Sequence, residues 1–163
     1  MIVLGIDPGY AIVGWGAVEY RGNRFFTLGH GAVQTPANTD FSSRLECIYN
    51  ELNDVCRTYR PDFAAVERLY FTTNQKTAIA VAEARGVIIL SLRQNGIPLF
   101  EYTPLQVKQA VVGYGKADKK QVIEMTRHIL GIEMPRLDDT ADALAIAICH
   151  AHSFNSHINK YLR

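Results

Sequence analysis

Asp7, Glu67, Asp139 and Asp142 stand where a folded chain rarely places charge. Asp7 ends the apolar run Ile2-Val3-Leu4-Gly5-Ile6, and Glu67 ends Phe63-Ala64-Ala65-Val66. Asp139 and Asp142 open the almost wholly apolar stretch from Ala143 to Cys149. Carboxylates beside buried runs are uncommon unless paired or metal-bound. Two unit charges 4 Å apart repel by about 4 kcal/mol at an effective dielectric near 20. Several acids therefore share one site only if some are protonated or a cation joins them. An all-oxygen donor set selects a hard divalent ion such as Mg²⁺, and Mn²⁺ accepts the same octahedral ligands. The chemistry this points to is metal-dependent phosphoryl transfer. Taken singly, each acid has a structural use: Asp7 as the start of an Asp-Pro-Gly turn, Asp139 as a helix cap, Asp142 as a partner of the helix dipole. The coincidence of all four favours the chemical use.

The elements that must position these acids are legible in outline. Residues 2–6 read as a buried strand ended by the turn Asp7-Pro8-Gly9. Residues 11–19 and 24–34 form a hairpin turned at Gly22-Asn23. Leu45, Ile48, Leu52 and Val55 recur at helical spacing over 41–58, and Arg60-Pro61-Asp62 ends that helix. A fourth strand spans 63–67. The longest helix, 74–94, carries an apolar girdle at Ala78–Ala82 that suits burial on two faces. A fifth strand at 97–102, a short helix at 104–112 and a helix at 119–130 capped by Asp118 and Gln121 follow. The final helix covers about 138–152. This order predicts a single α/β domain over 1–152, with a central mixed five-stranded sheet flanked by helices, and a loose polar tail at 153–163.

In that arrangement Asp7 and Glu67 end two strands, at the rim where open α/β sheets bind ligands. Asp139 and Asp142 are three apart, hence on one helix face. Leu144 and Ile148 on a neighbouring stripe lay that helix on the sheet. The set suits two divalent ions, one activating water and one stabilising the leaving oxygen.

A chain of 163 residues is long enough for one real core, and 48% hydrophobic with 20% charged residues is ordinary for a globular protein. The formal net charge of +1 hides an uneven distribution. Residues 67–136 carry a net +4, the segment most suited to a polyanionic partner. Three cysteines without a Cys-x-x-Cys pair argue against a disulfide framework and for a cytoplasmic setting. Cys149-His150-Ala151-His152 matches no common zinc spacing and reads as packed or surface residues. No signal peptide and no membrane-spanning run are expected.

Gly5-Ile6-Asp7-Pro8-Gly9, Val66-Glu67, Gln106-Val107-Lys108-Gln109-Ala110-Val111-Val112-Gly113 and Asp139-Thr140-Ala141-Asp142-Ala143-Leu144-Ala145-Ile146-Ala147 together resemble the RuvC family of Holliday-junction resolvases. The resemblance runs in order from Ile2 to about His152. It implies an RNase H-like fold, a homodimer and Mg²⁺-dependent cuts in opposed strands of a four-way DNA junction. It places the family's four acids on Asp7, Glu67, Asp139 and Asp142, with Asp at the third where some members carry His. By the same resemblance Tyr70 takes an aromatic position that stacks on bases near the crossover, with Phe71 beside it, and Asn74 a DNA-contacting position. Lys108 and Lys119 fall on basic positions near the scissile phosphate. Lys116 and Lys120 flank the second of these and read as phosphate contacts. The implied partners are the junction, a second copy of the chain and the RuvA–RuvB branch-migration machinery.

Three other readings share part of this pattern. Actin-like ATPases and sugar kinases open on a similar Asp-x-Gly turn but need two such domains around the nucleotide. RNA-processing nucleases of the YqgF type share the fold and the acidic layout. A non-catalytic junction-binding module would be weakened by four acids facing phosphates.

Overall fold

The computed structural model describes residues 1–68, 75–133 and 137–161. Strands β1 (Ile2–Asp7), β2 (Ile12–Arg21) and β3 (Arg24–Gln34) lead the chain, then helix α1 (Phe41–Tyr59) and β4 (Phe63–Glu67). Helix α2 (Gln75–Gln94), β5 (Leu99–Tyr102), α3 (Pro104–Val112), α4 (Lys119–Leu130) and α5 (Asp138–Tyr161) complete it. The five strands form one sheet in the order β3-β2-β1-β4-β5. The first three pair antiparallel, while β4 lies parallel to β1 and β5 parallel to β4. The sheet is the mixed five-stranded one expected from the order of elements.

The hairpin turns on Gly22 and Asn23, whose φ values are 57° and 62°. Two successive positive φ angles match the right-handed twist of the flanking strands, the geometry that Gly and Asn tolerate best. Asp40 caps α1 by accepting from the Ser43 amide, and Arg60 ends it in the left-handed region. Arg85 of α2 pairs with Glu101 of β5, which also attracts Arg68 just beyond β4, so ion pairs tie α2 to the sheet edge.

Alternation along the strands divides the core in two. Leu4, Ile6, Val13, Ala64 and Val66 point to one face and pack on Ile48 and Leu52 of α1 and on Ala84, Ile88 and Leu92 of α2. Val3, Val18, Ala65 and Tyr102 point to the other and pack on α3, α4 and α5. Leu144, Ile146 and Ile148 of α5 are fully buried there, each stabilising the fold by roughly 1.5–3 kcal/mol.

Helix α5 lies unusually close to the sheet because β1 and β2 present glycines beneath it. A Cβ on Gly5 would come within 1.9 Å of the Ala143 carbonyl oxygen and 2.7 Å of the Ala147 nitrogen. On Gly14 it would come within 2.0 Å of the Asp139 carbonyl oxygen. Backbone packs directly on backbone.

One expectation needs correction. The last helix does not end at His152 but continues to Tyr161. Ser153 bonds back to the Cys149 carbonyl at 2.8 Å, and Phe154 packs on Phe63 and His150, so the apolar face extends past His152. Within a single chain α2 buries one face, through Ala84, Ile88 and Leu92. Ile79 is 61% and Leu90 51% exposed, leaving a second apolar face open.

Candidate active site

Register brings the first two acids together. Ile6 pairs with Val66 across the parallel β1–β4 ladder, so Asp7 and Glu67 follow at the ends of adjacent strands, about 4.8 Å apart along the sheet. Ile6 and Val66 face α1 and α2, so the residues after them face α5. Asp7 also pairs with Gly14 on β2, the glycine on which the Asp139 backbone rests. One close helix–sheet contact thus carries Asp139 and Asp142 to the strand ends.

The electrostatics register this convergence. Burial pushes the Asp7 carboxyl up to about 8, and the charges of Glu67, Asp142 and Asp139 push in the same direction. Glu67 is raised by burial and then by Asp142. Asp142 is raised by burial, against the opposing pull of Lys119. As they stand, no three Asp, Glu, His or Cys side chains among the described residues converge closely enough to cage an ion. The two observations agree, because Coulomb repulsion reaches farther than a ligand bond of about 2 Å. Lys119 supplies positive charge at the cluster, with its ammonium 3.1 Å from Asp142 and 3.2 Å from Asp138.

A cleft of about 250 Å³ opens beside the acids, lined by Glu67, Asp142, Lys108 and Lys119 over a floor that includes Val107, Val122 and Ile146. Two helices begin at its edge. Thr103 and Gln106 form a capping box at the start of α3, and Asp118 and Gln121 form another at the start of α4. Their N-terminal dipoles favour anions there. The capping expected for α4 is present, and it fixes Lys119 as the first residue of that helix.

All four acids come together, and Lys108 and Lys119 line the cleft. Lys116 and Lys120 are exposed near it without lining it. Tyr70, Phe71 and Asn74 lie outside the described residues. Sequence reasoning assigned no role to Asp138, beside Asp139 at the start of α5. The structure gives it a partner instead, since it shares Lys119 with Asp142. Their i, i+4 spacing is the signal that would have found this. His150 is packed, as its place in an apolar helix suggested. It is fully buried among Phe63, Phe100, Tyr102 and Phe154, with Nδ1 2.9 Å from the Tyr102 hydroxyl.

The donor chemistry fits a divalent cation. Every candidate ligand is a carboxylate, the set is half-buried, and in Asp7, Glu67 and Asp142 burial and neighbouring acids together push the carboxyl up. A hard cation removes that mutual penalty.

Residues 3–150 match the family model described as crossover junction endodeoxyribonuclease RuvC. A relative of that description from Desulfitobacterium hafniense is 54% identical over 156 residues, covering 95% of this chain and 94% of its own. One from Clostridioides difficile is 54% identical over 154 residues, covering 94% of this chain and 91% of its own. The solved Thermus thermophilus RuvC in complex with Holliday junction substrate superposes with a TM-score of 0.92 at 36% identity, covering 96% of each chain.

Proposed function

The chain belongs to the RuvC family of crossover junction endodeoxyribonucleases, and on that premise we propose that it resolves four-way DNA junctions by hydrolysing phosphodiesters at paired sites in opposed strands. The observation that carries this reading is a cluster of four carboxylates beside a cleft lined by two of them, Glu67 and Asp142, and by Lys108 and Lys119. Carboxylates alone would repel DNA, and lysines alone would only bind it.

Asp7, Glu67, Asp139 and Asp142 are the residues that would hold the divalent cation, which we read as Mg²⁺ in a pair, with Mn²⁺ as a substitute. Bound there, the cation supplies activation of the attacking water and stabilisation of the leaving oxygen. The remaining steps fall to the protein. Lys108 and Lys119 draw the scissile phosphate into the cleft, helped by the starts of α3 and α4. Lys116 and Lys120 hold the strand backbone and give affinity without sequence preference. Tyr70 stacks on an unpaired base beside the crossover, worth about 1–3 kcal/mol, and Asn74 contacts the same strand. Water is the nucleophile, and among the described residues no side chain lining the cleft beyond the acids is an obvious general base.

Paired cuts call for two sites, which a homodimer provides. The open apolar face of α2 is where the second copy packs. The chain acts in the cytoplasm, with RuvA–RuvB driving branch migration at the same junction. No described helix is long and apolar enough to cross a membrane.

Incubation with an end-labelled four-way junction, with Mg²⁺ or chelator, tests the assignment when cuts are mapped on all four strands. Symmetric nicks in two opposed strands that need the cation are expected. Preference for single-stranded RNA, or nucleotide hydrolysis without DNA, would overturn it in favour of another protein of this fold group.

A further inference from the structure

Lys119 is held by two carboxylates, and only one belongs to the four acids. Asp142 is 3.1 Å and Asp138 3.2 Å from its ammonium. The two acids are one helical turn apart on α5, so they present adjacent oxygens to the same cation. Asp138 is 65% exposed and reaches outward, while Asp142 is 34% exposed and lines the cleft. Asp142, Glu67 and Asp139 act on the Asp7 carboxyl, and Asp138 is not among them. Asp138 thus touches the lysine and acts on its neighbour Asp142, without reaching Asp7.

This geometry has a consequence once a dication takes up the acids. With a divalent cation held there, the oxygens of Asp142 would turn to the new charge, and the ammonium would be repelled by it. The Lys119 side chain is 52% exposed and flexible, so nothing in its own packing would keep it at the cleft. Asp138 sits within contact of the same nitrogen and on the outer side. We propose that Asp138 is a positioning residue, which retains Lys119 at the edge of the cleft when a divalent cation claims Asp142. The lysine then stays where the scissile phosphate must lie. The inference rests on the function proposed above for its purpose, though not for its geometry.

Limited acetylation of the full chain, read by mass spectrometry, tests the hold directly, with the exposed Lys116 and Lys120 as references. In the wild type Lys119 should react more slowly than these two both with and without saturating Mg²⁺. In Asp138→Asn the protection should survive in chelator, where Asp142 still holds the ammonium, and vanish in Mg²⁺. Single-turnover cleavage of a four-way junction should fall about fivefold in Asp138→Asn, the upper range for one exposed ion pair. Asp138→Glu should restore both readouts. In a Lys119→Met background Asp138→Asn should cost nothing further. Persistent protection of Lys119 in Asp138→Asn with Mg²⁺, or an equal loss of rate with Lys119 already removed, would overturn the proposal. If the wild type cut no junction, the function above would fail while the acetylation pattern still decided on Asp138.

Discussion

At the scale of single residues, Asp7 carries the clearest signature of a site built for a cation. Burial and the charges of three neighbouring acids push its carboxyl up to about 8. In the unfolded chain the same group titrates near 3.8. The folded state therefore binds the extra proton between those values, and stability without a bound cation falls as pH rises from about 4 to about 8. Asp7→Asn removes that penalty. In chelator at pH 8 the variant should melt higher than the wild type, by about 5 °C or more for a domain of this size. The gap should close towards pH 4, where Asp7 is protonated anyway. Thermal melts across that range check it, and a lower melting point for Asp7→Asn at pH 8 would mean that the carboxylate is stabilised by its surroundings. His150 gives the opposite limb. Burial pushes its imidazole down to about 4 from 6.5, and its Nε2 has no hydrogen-bond partner among the described residues. The unfolded chain takes up that proton first, so stability is complete above pH 6.5 and falls as pH drops to about 4, by roughly 3 kcal/mol. Denaturation at several pH values should show this acid limb, and His150→Gln should flatten it.

At the scale of elements, the site exists because α5 rests on glycine. Gly5 and Gly14 let the helix backbone touch the strands, which carries Asp139 and Asp142 to the ends of β1 and β4. Gly5→Ala places a methyl inside the Ala143 carbonyl, so the helix must shift. The cost should be about 1–3 kcal/mol, and Mn²⁺ affinity measured by calorimetry should weaken because Asp142 is the residue next to Ala143. Unchanged stability and affinity would show that the close contact does not set the site. The apolar runs made the strands and helices readable, since their periods differ and their ends carry Pro, Gly, Asp and Asn. The acids were readable because they interrupt or border those runs. The glycines were not, because nothing in a sequence distinguishes a glycine needed for a turn from one on which a helix lies. The extension of α5 was missed for a related reason, since the polar residues after His152 hide the single Phe154 that anchors the next turn on Phe63. Asp138 was not singled out because its partner, Lys119, belongs to a different helix, and only its i, i+4 spacing from Asp142 hints at the shared contact.

At the scale of the whole molecule, one chain carries one copy of the four-acid cluster, while a junction presents opposed strands. Exposed Ile79 and Leu90 lie on the side of α2 away from its buried Ala84, Ile88 and Leu92, and a second copy covering them, as proposed above, would supply the second site that paired cuts require. Sedimentation at micromolar protein should give roughly twice the chain mass, and Ile79→Glu with Leu90→Glu should yield folded monomers that no longer cut symmetrically. A monomeric wild type that still cut opposed strands in concert would contradict this. The central claim is that the four acids form the catalytic centre, and Asp7→Asn tests it most directly because it keeps the shape and removes one charge. Single-turnover cleavage of a labelled four-way junction in Mg²⁺ should fall by about 10³-fold or more, with junction affinity in chelator unchanged or higher. Near-normal cutting by a well-folded Asp7→Asn protein would contradict the account.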